Sequence, residues 1–236
     1  ARGSLTLGTL TVIFSFYVGY FICIFVLLFS ICYTIVNFVS LKHSLKNAGK
    51  MLLYTGIAFM ITAFMTIPVH MALSHSDSAA DASGFPLNYT INYAYGTPTD
   101  GIIDTLKSII RTVTNLLSFT KPITLDKGEP NIFCGALSLA LGVFYVTCRK
   151  IRLKEKIVAL SLLGFMVMSF VVNQLNYIWH GFSTPAMVYY RFSFIFSFIL
   201  VLMAYRAFCL VDSFGKKAFV FSAIVLALYL VAAFFV

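Results

Sequence analysis

Long apolar runs alternate with short polar connections along this chain. Six runs stand out, at 5–41, 51–71, 132–148, 157–172, 192–211 and 218–236. A helix needs about 20 apolar residues to cross the hydrocarbon of a bilayer, so each run predicts a transmembrane helix. The first is longer than that and predicts a tilted helix, or one with an end outside the lipid. The run at 157–172 is short, so Lys156 or the pair Asn173 and Gln174 must approach the interface. Pro68 falls near the far end of the second run, where neighbours can compensate for its missing N–H. The pattern predicts an all-α integral membrane protein, a bundle of six transmembrane helices.

One connection departs from the rest. Residues 74–131 form a long polar loop with turn signals at Lys121-Pro122 and Glu129-Pro130. Inside it, Thr99 and Asp100 read as a helix start. Ile102, Ile103, Leu106, Ile109, Ile110, Val113, Leu116 and Leu117 then recur at helical spacing. Asp104, Lys107, Ser108, Arg111, Thr112 and Asn115 fill the gaps, which predicts an amphipathic helix too polar to span. It should lie along the membrane surface or pack on the bundle.

Composition agrees with a membrane protein. The chain is 60% hydrophobic and 11% charged, less than half the charged share of an ordinary soluble domain. The net charge of +9 would suggest a nucleic-acid partner on a solvated surface, but here the basic residues sit in short connections and report topology. The connections at 42–50, 149–156 and 206–217 hold eleven basic residues and two acids, while 74–131 holds four basic and six acidic. Alternating spans put the basic connections on one face, predicted to be cytoplasmic. Residues 74–131 and 173–190 are then extracytoplasmic. The cysteines lie within apolar runs or at their ends, with no Cys-x-x-Cys, so they read as small buried hydrophobes rather than a disulfide or zinc framework. The chain starts at Ala1 and stops inside an apolar run at Val236, which reads as a piece of a larger protein.

The stretch 173–191 concentrates the unusual side chains. It has no acid, and no Lys or Arg before Arg191; it also holds the single tryptophan, Trp179. Arg191 opens the fifth run and offers a fixed positive charge for a lipid-linked phosphate; its plain alternative is an arginine snorkelling to the interface. His180 suits the same phosphate or a proton transfer, and equally a packing role in a turn. Trp179 and Tyr177 suit stacking on a sugar ring, or an aromatic belt at the headgroups. Asn176 and Asn131 complete the candidate set for lipid-phosphate or substrate binding. Asp77, Asp81 and His70 are weaker candidates. A carboxylate could take a proton from an acceptor hydroxyl or hold a divalent metal ion against a phosphate leaving group, but such acids are also ordinary solvated surface.

Several stretches carry a family resemblance: Ser15-Phe-Tyr-Val-Gly-Tyr20, Glu129-Pro-Asn-Ile-Phe-Cys-Gly135, Arg152-Leu-Lys-Glu-Lys156, and above all Leu175-Asn-Tyr-Ile-Trp-His-Gly-Phe182 running into Tyr190-Arg-Phe-Ser-Phe194. As an ordered set the chain resembles the YfhO family of bacterial multi-spanning membrane proteins. That resemblance implies a GT-C-like fold, similar to glycosyltransferases that take sugar from a polyprenyl phosphate outside the membrane. It implies an undecaprenyl-phosphate-sugar donor, and as acceptor a cell-envelope polymer such as lipoteichoic acid, or a glycolipid. Ser15 stands where the family pattern has Asn. The acid assigned to catalysis in that fold lies in a first outer loop upstream of Ala1, so the label is not carried to Asp77 or Asp81. The runner-up functions are a transporter or flippase of lipid-linked sugars, which needs polar residues deep in the spans, and a non-catalytic envelope-assembly scaffold, which predicts that Arg191 and His180 tolerate replacement.

Overall fold

The computed structural model describes residues 16–38, 40–74, 109–110, 112–113, 115–116, 130–181, 190–211 and 216–234. Among these the chain is all-helical. Its helices are α1 (Phe16–Val36), α2 (Leu41–Ser74), α3 (Ala136–Thr147), α4 (Leu153–Val171), α5 (Asn173–Trp179), α6 (Ser193–Phe208) and α7 (Lys216–Phe234). They belong to two compact units. One comprises Ala1–Phe85 with Tyr177–Thr184, the other Pro86–Asn176 with Pro185–Val236.

In the first unit, α1 and α2 meet. The segment Val18–Val36 has a mean hydropathy of 2.4 and, among the described residues, is the one helix long and apolar enough to cross a membrane. Its sides carry exposed Leu27, Phe29, Ile31 and Ile35, a surface that water would penalise at about 25 cal/mol per Å² and that lipid tolerates. Its end is local chemistry. The Asn37 amide N–H and Nδ2 both donate to the Tyr33 carbonyl, at 3.0 and 3.2 Å, satisfying an acceptor that the helix leaves over.

The expected basic connection at 42–50 is instead the opening of α2. Ser40 Oγ accepts the His43 N–H at 3.3 Å, a hydroxyl cap that starts a helix directly after the break. Lys42, Lys46 and Lys50 then recur every fourth residue along it. At the ideal rise, the 34 residues of α2 measure about 51 Å, well beyond the ~30 Å of hydrocarbon. There is length for the basic turns to extend into water.

The second unit is organised around α6. It packs against α3 and α4, and α7 packs on α3. With neighbours on two sides, α6 buries a broad face: Ile195, Phe196, Ile199, Leu200, Met203, Ala204 and Ala207. Gly142 sets the closeness of α3 to α6, since a Cβ there would lie 3.2 Å from Leu200 Cδ1. Phe144 of α3 stacks on Phe219 of α7 at 5.8 Å, and Thr147 Oγ1 shares a 3.2 Å hydrogen bond with Ser222 Oγ.

Two expectations change here. The stretch 173–179, read as a surface connection, is the short helix α5, entered through an extended residue at Val172 (φ −90°, ψ 121°). In the loop 74–131, Thr112 and Asn115, expected on the polar face of an amphipathic helix, are buried, while Ile110 is 50% exposed. Three residues apart, the two polar side chains share one inward face. The rest of the expected 101–117 helix lies outside the described residues.

Gly142→Val is expected to destabilise the second unit by roughly 1–3 kcal/mol through overpacking, with part of the loss relieved when Leu200 is also replaced by Ala. Thermal unfolding of the two variants and the pair in detergent measures the coupling. Strictly additive losses would remove Leu200 as the side chain that Gly142 accommodates.

Candidate functional site

The candidate residues are built into two separate arrangements. The first is the turn that ends α5. A left-handed residue is needed to stop this helix, and Gly181 supplies it at φ 70°. The Gly181 N–H donates to the Ile178 carbonyl at 3.2 Å. The Tyr20 hydroxyl of α1 donates to that same carbonyl at 2.9 Å. One leftover acceptor of a short helix is thereby tied to a span 158 residues away in sequence.

Phe21, the next residue of α1, fills the space behind. It is 1% exposed. Its ring lies 5.9 Å from the His180 ring, nearly edge-on at 74°, and 6.5 Å from Trp179. Trp179, His180 and Tyr177 are all buried, and Asn176, one turn back on α5, is buried completely. These aromatic contacts contribute of order 1 kcal/mol each beyond the area they bury. His180 thus enters the fold as a ring packed on Phe21 rather than as a side chain standing in solvent.

The second arrangement presents Arg191. Phe170, near the end of α4, gathers three rings: Phe192 stacked at 5.1 Å, Tyr190 edge-on at 5.9 Å, and Phe196 at 6.2 Å. Tyr190 and Phe192 are buried on either side of Arg191, which is exposed. The Ser193 N–H donates to the Tyr190 carbonyl at 3.0 Å, closing a tight turn over the arginine. Two anchored aromatics thus hold the backbone of a cation that itself faces outward, two residues before α6 begins. The order already paid for in the backbone lowers what an anion must lose on binding.

The remaining candidates are scattered. Asn131 is exposed, beside fully buried Ile132. His70 is a residue of α2 whose side chain lies outside the described part, and Asp77 and Asp81 lie outside it altogether. Among the described residues, no three of His, Cys, Asp or Glu come together as a metal site would require. Sequence reading missed Phe21 and Phe170. Each is one apolar residue inside an apolar run, and no local pattern sets it apart. Tyr20, part of a stretch that carries the family resemblance, proves to be a hydrogen-bond donor to α5.

Comparison with known proteins adds one relationship. The family described as bacterial membrane protein YfhO matches residues 5–236. No curated protein and no solved structure gives a significant match.

Phe21→Ala is expected to cost about 3–5 kcal/mol and to shift the emission of Trp179 to the red as water reaches the ring. Tyr20→Phe should cost less, about 0.5–1.5 kcal/mol, with a smaller shift. Trp179 is the single tryptophan of the 236 residues, so its emission reports this contact. An unshifted spectrum in Phe21→Ala would show that Phe21 does not shield the indole.

Proposed function

The chain belongs to the YfhO family of bacterial membrane proteins, and from that premise we propose that it is part of a membrane glycosyltransferase of the cell envelope. The proposed reaction moves a sugar from undecaprenyl-phosphate-sugar to an extracytoplasmic polymer such as lipoteichoic acid, or to a glycolipid. Family membership supports a glycosyltransferase-like role in general. The reaction, donor and acceptor are our reading.

The observation that carries the reading is the setting of Arg191. Arg191 is exposed while its chain neighbours Tyr190 and Phe192 are buried against Phe170, a setting that suits a phosphate met in one place. The planar fork of guanidinium donors matches two phosphate oxygens at once. As the bond from the sugar to the phosphate breaks, negative charge grows on the phosphate oxygens. A fixed cation stabilises that charge more than it stabilises the bound donor, and only this difference speeds the reaction.

For His180, Trp179 and Tyr177 we propose support rather than direct contact with the phosphate. Trp179 and His180 pack on Phe21 and Tyr177 is buried on the same short helix, which keeps the turn at the end of α5 in one conformation. Asn131, exposed at the approach to α3, is proposed as a further polar contact for the donor or acceptor. The carboxylate that takes the acceptor proton is left unassigned, and Asp77 and Asp81 are open to the same replacement test.

Replacing Arg191 by Ala in the full-length protein is expected to lower sugar transfer by roughly 10²–10³-fold, the usual loss on removing one stabilising donor. Arg191→Lys should recover part of it, keeping the charge without the fork. Unchanged transfer in Arg191→Ala would end the phosphate role. Transfer by the unaltered protein without any polyprenyl-phosphate donor would end the donor assignment.

A further inference from the structure

The connection between α3 and α4 carries more positive charge than any other stretch of its length, and the structure divides those charges into two kinds. Lys156 and the single acid, Glu155, are already engaged, the acid by Arg206 of α6. Lys156 Nζ donates to the Val146 carbonyl at 2.6 Å, closing off an acceptor left over in the last turn of α3. Arg206 Nε donates to Glu155 Oε1 at 3.2 Å, so the only acid of the connection is already in use. Arg149, Lys150 and Lys154 are exposed. Cys148 before them and Ile151 among them are each only 3% exposed and anchor the turn, so these three cations are held close together on a short backbone.

An apolar track starts where the cations end. Leu153, Ile157, Leu160, Gly164 and Met168 are all exposed, at a spacing that lines one face of α4. The opposite face holds buried Leu162, Met166, Ser169 and Phe170. A ligand matching both features has an anionic head and long hydrocarbon chains running beside the helix.

We propose that the α3–α4 hairpin is a binding site for an anionic phospholipid, with the headgroup phosphate among Arg149, Lys150 and Lys154 and the acyl chains along the exposed row of α4. A basic segment that only sets topology needs its charge count and no particular geometry. Here the engagement of Lys156, Glu155 and Arg206 leaves a concentrated positive surface directly against an apolar one. Like charges set close together repel one another, and an anionic headgroup relieves that repulsion. Inorganic phosphate would satisfy only the charged end of the site. The proposal does not depend on the sugar-transfer reading.

The test uses the full-length protein in an uncharged detergent and follows saturable retention of labelled phosphatidylglycerol against labelled phosphatidylcholine. The unaltered protein should prefer phosphatidylglycerol. Arg149→Gln with Lys150→Gln should weaken that binding about tenfold or more, since each cation at an anionic surface is worth about fivefold, and leave phosphatidylcholine unchanged. Lys42→Gln with Lys46→Gln removes the same charge elsewhere and should change little. If the hairpin variant does not fold, a salt titration of the unaltered protein decides, because a headgroup held by exposed cations must loosen as salt rises. No preference for phosphatidylglycerol, unaltered binding in the hairpin variant, equal loss in the Lys42 and Lys46 variant, salt-independent binding, or complete displacement by millimolar inorganic phosphate would each overturn the proposal.

Discussion

A helix in apolar surroundings satisfies its own backbone except at its ends, where several N–H and C=O groups are left over and no water is at hand. The polar chemistry described in this chain gathers at those ends. Asn37 closes α1, Ser40 opens α2, and Lys156 reaches back to the end of α3. Tyr20 and the Gly181 N–H share the Ile178 carbonyl in the last turn of α5. These bonds also decide which side chains meet, because each ties a helix terminus to a chosen partner.

The same constraint accounts for how cations are displayed. In the turn before α6, Tyr190 and Phe192 are buried and Arg191 between them is exposed. In the turn before α4, Ile151 is buried and Lys150 and Arg152 beside it are exposed. A buried apolar neighbour anchors the backbone while the charged side chain keeps its hydration. Rigid presentation of charge needs no buried ion, which would be far more costly. Where a charge is drawn inward, as at Glu155, whose side chain is 20% exposed, it brings a partner in Arg206.

The aromatic content takes on a specific use in this setting. Among lipid-like neighbours the hydrophobic effect does not distinguish one apolar contact from another, and packing must do so. Phe170 with Tyr190, Phe192 and Phe196, and Phe21 with Trp179 and His180, are contacts of shape and ring orientation. They fix turns that contain glycine or polar residues and would otherwise have several conformations.

Local pattern was enough to read the helical, membrane-type character of the chain, because hydrophobic run length and the scarcity of charge are properties of each stretch taken alone. The family resemblance rested on stretches such as Ser15-Phe-Tyr-Val-Gly-Tyr20 and Leu175-Asn-Tyr-Ile-Trp-His-Gly-Phe182, and the family match spans both. Pattern could not show that 42–50 and 173–179 are helical, since a hydroxyl cap at Ser40 and an extended Val172 act through geometry rather than hydrophobicity. Nor could it pair Tyr20 with Ile178 or Phe21 with His180 across more than 150 residues. Only the tertiary structure decided that His180 packs inward while Arg191 faces out. That difference lies in which neighbours each side chain meets, and residue type does not encode it.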